Sequence, residues 1–323
     1  VKGVFMKRVI AVGIGAFVFT SAAAGVGWYY MGRWGSFGSG DGQFNEPKGA
    51  GVALNHTVYV ADSSNHRVQY FYSRGSFIGK WGSYGTGEGQ FEFPAGVGVA
   101  SSGNVYVLDT GNDRIQYFTS AGSFLGKWKL NTQSRATGIA VAPETGYIYV
   151  GDASADCIWY YTSNGSHLGS WGGSGSGAGQ FVNPTGITVA HNSGNVYVAD
   201  TSNHRIQYFT SDGSYLGNWG SFGSGEGQFN RPTGVVVTRT LEVIVADSLN
   251  YRLQYFALPG WYCGQWGKYG SGEGEFQGLT FLSVTWDWPI VYVADYELHR
   301  IQFFGETPAV TPASLGSIKA LFE

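Results

Sequence analysis

With 323 residues, 16% aromatic, 52 glycines and only 13% charged, the chain has the composition of a β-rich protein with tight turns and large packed side chains. It is too aromatic and too sparsely charged to stay disordered. A formal net charge of −3 without a basic stripe leaves little counterion release to drive nucleic-acid binding.

Residues 1–26 read as a targeting segment. Lys7-Arg8 precedes an uncharged apolar run of 19 residues from Val9 to Gly27, and Ser21-Ala22-Ala23-Ala24 supplies the small residues of a cleavage site. A run of this length also reaches the lower limit of a bilayer-spanning helix, so an uncleaved membrane anchor is the alternative to a signal peptide. In both cases the basic pair stays on the cytoplasmic side and the rest of the chain is exported. The remainder is expected to be secreted or held at the cell surface, touching a membrane only through this segment. Without the segment's three basic residues, 16 cations face 22 anions, a net charge of −6.

From residue 27 to 305 one unit recurs. A hydrophobic-Tyr-Val-x-Asp phrase, followed five positions later by Arg, places Asp at 62, 109, 152, 200, 247 and 295, at intervals of 47, 43, 48, 47 and 48. A period in this range marks an array of identical supersecondary units, hence one repeat domain. In the second copy, Pro94 to Ala100, Val105 to Leu108, Arg114 to Phe118 and Ser123 to Trp128 read as strands, separated by turns rich in Ser, Gly, Asn and Asp. Four short antiparallel strands repeated radially describe β-propeller blades, and closing the array removes exposed strand edges. The ends agree with closure. Gly27 to Ser36 matches a fourth-strand segment, and the last copy stops after its third strand at Gly305. The N-terminal strand is therefore expected to complete the sixth blade.

Trp219-Gly-Ser-Phe-Gly-Ser-Gly-Glu-Gly-Gln-Phe229, then Pro232-Thr-Gly-Val, resembles the opening of the NHL repeat. Val196-Tyr-Val-Ala-Asp200-Thr-Ser-Asn203-His204-Arg205-Ile-Gln-Tyr-Phe209 is similar to its centre, including the Asn-His pair. The resemblance covers residues 27–305 and implies an all-β, six-bladed propeller. It leaves the activity open, because such propellers serve as lyases, hydrolases, sensor domains and RNA-binding platforms. Three copies depart from the pattern, the fifth by Asn250-Tyr251-Arg252 in place of Asn-His-Arg. The third has Lys129 to Arg135 in place of the Gly-rich opening and Asp156-Cys157 in place of His-Arg, and the sixth lacks the Pro-x-Gly start.

The candidate chemistry is mostly repetitive, which argues for architecture. The Gly-rich segments lead to strands, whereas a phosphate-binding loop opens a helix. The pairs Asp62/Arg67, Asp109/Arg114, Asp200/Arg205, Asp247/Arg252 and Asp295/Arg300 recur at one spacing, so they are expected to brace the turn between the second and third strands. Trp34, Trp81, Trp128, Trp171, Trp219 and Trp266 share one register and should pack between blades. Cys157 and Cys263 lie on non-adjacent units, which argues against a disulfide. The inner strands contain no Asp, Glu, His or Cys, so they offer no ready metal cage along the channel.

These features imply a non-catalytic binding scaffold for a protein, peptide or surface glycan, with no catalytic residue, no resident metal or cofactor, and nucleic acid disfavoured. The expected contact face carries Asn65-His66, Asn112-Asp113, Asn203-His204, Asn250-Tyr251 and Leu298-His299, on turns between the second and third strands. The alternative is a metal-assisted lyase or hydrolase, holding zinc or calcium on channel-mouth loops. Residues 306–323 read as a Pro/Thr-containing linker and tail.

Overall fold

The computed structural model describes residues 8–11, 16–19, 27–131 and 135–306. The chain divides into a terminal unit, 1–29 with 305–323, and a main unit, Tyr30–Phe304. In the terminal unit Arg8–Ala11 pairs antiparallel with Ala16–Phe19. Most of the expected leader and the C-terminal tail lie outside the described residues. No helix among the described residues is long and apolar enough to cross a membrane.

The main unit is a six-bladed β-propeller of four-stranded antiparallel sheets. The first blade is Pro47–Val52, Val58–Asp62, Arg67–Phe71 and Phe77–Trp81, in sequence order from the inside outward. Four more blades repeat this order. The sixth contains Leu279–Val284, Ile290–Asp295 and Arg300–Glu306, and its fourth strand is Trp28–Trp34. Each inner strand lies against that of the next blade, and Leu279–Val284 lies against Pro47–Val52, which closes the ring.

The sequence pattern explains the packing. Inner strands approach closely, so their glycines have no room for a side chain: a Cβ on Gly49 would stand 2.4 Å from the Ala95 carbonyl oxygen. Second strands such as Val58–Asp62 are buried along their whole length, whereas fourth strands alternate between half-buried and exposed. The tryptophan of each fourth strand packs across to the following blade. The Trp81 ring occupies the space that a Cβ on Gly122, at φ +87°, would need, and it lies 5.5 Å from the Phe118 ring.

Polar contacts tie blade to blade as well. Tyr59, Tyr106 and Tyr149 donate their hydroxyls to the carbonyls of Ser120, Ser163 and Ser211 in the next blade. Tyr292 does the same across the closure, to Ser73 at 3.0 Å. The N-terminal strand is held by Trp34, whose ring lies 5.6 Å from Phe303, 5.8 Å from Tyr292 and 5.7 Å from Phe71. Neither Cys157 nor Cys263 is in a disulfide.

Candidate functional site

An antiparallel blade puts its second-to-third turn at the same end as the connection from the previous blade. The other two turns lie at the opposite end. The propeller therefore has a Gly-rich face, with the long glycine loops and the Asp–Arg turns, and a turn face around the other mouth of the channel.

On the Gly-rich face each regular blade holds one buried polar network. In the first, Oδ2 of Asp62 accepts from Arg67 Nε at 2.6 Å, Asn65 Nδ2 at 2.9 Å and Gln69 Nε2 at 3.1 Å, while Oδ1 accepts from the Asn45 amide at 2.7 Å. The guanidinium of Arg67 continues to the carbonyls of Ser39, Gly40 and Gln43 in the preceding glycine loop. The carboxylate thus fixes the turn and the arginine fixes the loop. The arrangement repeats with Asp109, Asn112, Arg114 and Gln116, with Asp200, Asn203, Arg205 and Gln207, and with Asp247, Asn250, Arg252 and Gln254. In the sixth blade Leu298 replaces the asparagine. Asp295 there accepts from the amides of Gln277 and Gly278 together with Arg300. These carboxylates are buried and spend their oxygens on internal donors, which makes them poor ligands for a substrate or metal.

Sequence reasoning missed the glutamine. Gln69, Gln116, Gln207, Gln254 and Gln302 are fully buried. Their signal is the invariant third place in Arg-x-Gln-aromatic-Phe. The third blade shows what the network depends on. Its preceding segment lacks the glycine loop, so an arginine would find no carbonyl cradle, and Cys157 stands there instead. Trp159 takes the glutamine position and donates Nε1 to Asp152 Oδ2 at 3.0 Å, and the amides of Ser154 and Ala155 cap the other oxygen.

The next residue of each turn also serves the frame. His66, Asp113, Asp156, His204, Tyr251 and His299 all have positive φ. Nδ1 of His66, His204 and His299 accepts the backbone amides of Phe93, Arg231 and Glu46 in the following blade, at 3.1–3.2 Å. Asp156 does the same for Asn183 at 2.7 Å. The receiving residues are themselves at positive φ, so each acceptor steadies an uncommon backbone conformation at a blade entrance. The asparagine amides and these histidine nitrogens are therefore committed to internal bonds.

Four aromatic side chains stand well exposed on this face. Phe37, Tyr84, Phe222 and Tyr269 are 66%, 65%, 67% and 63% exposed. Each sits on the ring of the neighbouring turn residue: His299, His66, His204 and Tyr251, with centroids 4.9–5.0 Å apart. They lead into blades five, six, one and two, so they form one continuous arc. Ser174 holds the corresponding place before the fourth blade, opposite Asp156. Where the turn residue is aspartate the aromatic partner is missing, so the arc is asymmetric.

The turn face has a different character. The sixth blade's first turn, Trp286-Asp287-Trp288-Pro289, departs from every other copy. Trp286 reaches the channel mouth and stacks on His191 of the fourth blade at 3.8 Å, with the Arg239 guanidinium 5.8 Å from the same ring. His56 pairs with Asp287 at 2.9 Å, across the first and sixth blades. Burial lowers the His191 pKa from its ordinary value, opposed by the Glu144 carboxylate. Burial, with Asp152 and Asp156 beside it, pushes the Cys157 thiol up to about 12, so it stays protonated and is a poor nucleophile. Among the described residues no group of three or more His, Cys, Asp or Glu side chains is placed to hold a metal ion.

The closed ring of six blades, four of them with near-identical polar networks, defines a repeat β-propeller. Four of its repeats match the model of the NHL repeat, over residues 44–71, 91–118, 181–209 and 229–256. The third and sixth blades, outside these matches, are the copies that lack the Gly-rich opening and the Pro-x-Gly start respectively. A 48-residue stretch is 44% identical to Protein brain tumor of Drosophila melanogaster, covering 15% of this chain and 5% of that protein. Among solved structures, a protein of unknown function from Bacteroides thetaiotaomicron superposes with a TM-score of 0.65 at 15% identity, over 93% of this chain and 87% of that one. A gluconolactonase from Xanthomonas campestris gives 0.62 at 14% identity, over 83% and 88%. A catalytically inactive virginiamycin B lyase from Staphylococcus aureus gives 0.59 at 13% identity, over 90% of each chain. At these identities the similarity is one of fold.

Proposed function

We propose that the protein is an exported, non-catalytic binding scaffold that captures a protein or peptide partner on its Gly-rich face. The arc of Phe222, Tyr269, Phe37 and Tyr84 carries this reading. Four rings, each about two-thirds exposed, stand on a hydrogen-bonded frame, and rigid aromatic side chains are the usual anchors of protein interfaces. Covering roughly 100 Å² of each ring would contribute about 2–3 kcal/mol per ring. Export rests on Lys7-Arg8 and the apolar run behind it. The test replaces all four rings with serine. The variant should melt with the parent and lose the partners that the parent captures under crosslinking. Retained capture by a folded variant would refute the arc as the contact surface.

The second reading is lyase or hydrolase chemistry at the channel mouth. One observation favours it: His191, with a lowered pKa, is placed to accept a proton there. Structural neighbours with those activities share the fold. Stoichiometric zinc or calcium in the purified protein, with turnover abolished in His191→Ala, would establish it over the scaffold.

A further inference from the structure

Two grooves cross the turn face. One, of about 410 Å³, lies between the second and third blades over Ser101, Asn104, Tyr117, Ser163 and Asn164. The other, of about 320 Å³, lies between the third and fourth blades over Thr145, His191, Asn192, Ser193 and Ser211. Pro143 borders both, and a small hollow bounded by Ser101, Pro143, His191 and Trp286 joins them at the channel mouth. Each volume falls in the range of small-molecule sites, about 300–1,000 Å³.

The lining selects the chemistry. The first groove contains no Asp, Glu, Lys or Arg, and the second only Glu144. An anionic ligand seated in either groove would leave water with no cation in that groove's lining, the Arg239 guanidinium standing instead over the Trp286 ring, which is costly. A purely apolar ligand would strand hydroxyls and amides that water now satisfies. A peptide would gain little main-chain pairing, because these walls are closed turns that offer no open strand edge. What fits is a ligand that is uncharged, dense in hydroxyls and flat on one side. Asparagine amides each supply donors and acceptors for neighbouring hydroxyls. Tyr117 borders the first groove and Trp286 the joining hollow, which gives apolar ring surface for the flat side.

We propose that the joined grooves bind a neutral, polyhydroxylated ligand of the oligosaccharide class, running from one groove to the other past the Trp286 indole. This site is separate from the aromatic arc, which lies on the other face.

The test uses the full chain with cellohexaose, xylohexaose and chitohexaose as neutral probes. A hexagalacturonate serves as the anionic control and an uncharged Gly-Ser-Thr decapeptide as the peptide control. Calorimetry and tryptophan fluorescence should show saturable binding of at least one neutral hexasaccharide. Binding should weaken about tenfold or more, 1.4 kcal/mol per decade, in both Ser102→Trp and Asn192→Trp. These positions are exposed turn tips, so both variants should melt with the parent. The four-serine arc variant should bind the sugar unchanged, which separates failure here from failure of the scaffold reading. No binding to any neutral probe, tighter binding of either control, or loss in only one groove variant would overturn the proposal.

Discussion

Replacing Trp34 with alanine tests closure of the ring at a single side chain. Trp34 belongs to the N-terminal strand, and its ring meets Phe303 and Tyr292 of the sixth blade and Phe71 of the first. Trp81 is its counterpart inside the chain, with Tyr59, Tyr70 and Phe118 at 5.5–6.0 Å. Truncating a core tryptophan costs about 3–5 kcal/mol, and the partial exposure of both residues places them near 3 kcal/mol. For a domain of this size that lowers the melting midpoint by roughly 6–12 °C. Urea denaturation followed by far-ultraviolet circular dichroism measures both variants without depending on the deleted fluorophore. If the N-terminal strand completes the sixth blade, the two losses should agree within about 1 kcal/mol. A normal loss for Trp81→Ala beside a near-zero loss for Trp34→Ala would show that the strand does not hold the ring.

Two further outcomes follow from the Gly-rich face. Arg114→Met leaves the Asp109 carboxylate buried without its cation and removes donors from the carbonyls of Thr86, Gly87 and Gln90, so denaturation should show a loss of about 3–5 kcal/mol. His204 has its pKa lowered, first by burial and then by Arg231, and its Nδ1 must stay unprotonated to accept the Arg231 amide. The unfolded chain therefore takes up the proton first. This contribution is intact above the ordinary histidine range near 6.5 and is lost as pH falls below it. His204→Asp, which copies the acceptor used by Asp156, should flatten the fall in melting temperature between pH 7 and 5.5. An unchanged slope would remove His204 from the account.

The repeat made much of this legible. Asp62 and Arg67 stand at the same distance in five copies, and an ion pair is the simplest cause of such a pattern. Three things were hidden. Gln69 looked like an ordinary strand residue, because nothing local reveals a glutamine wedged between a carboxylate and a loop carbonyl. His66 looked like a surface histidine, because its acceptor role depends on Phe93 in the next blade. The Trp286–His191 stack joins non-adjacent blades across the channel mouth, and no periodicity encodes a contact that occurs once. The irregular Trp-Asp-Trp-Pro turn was the available clue.

The Trp28–Trp34 strand pairs with Arg300–Glu306, so its partner is synthesised only after the five blades that lie between them in the chain. Throughout synthesis the growing molecule carries one unmated edge, while five sectors can already stack behind it. Neighbouring nascent chains on one messenger then have time to clip onto each other, giving exchanged dimers in place of sealed monomers. Slow dilution during refolding should favour the monomer, and crowded expression should enrich the exchanged form.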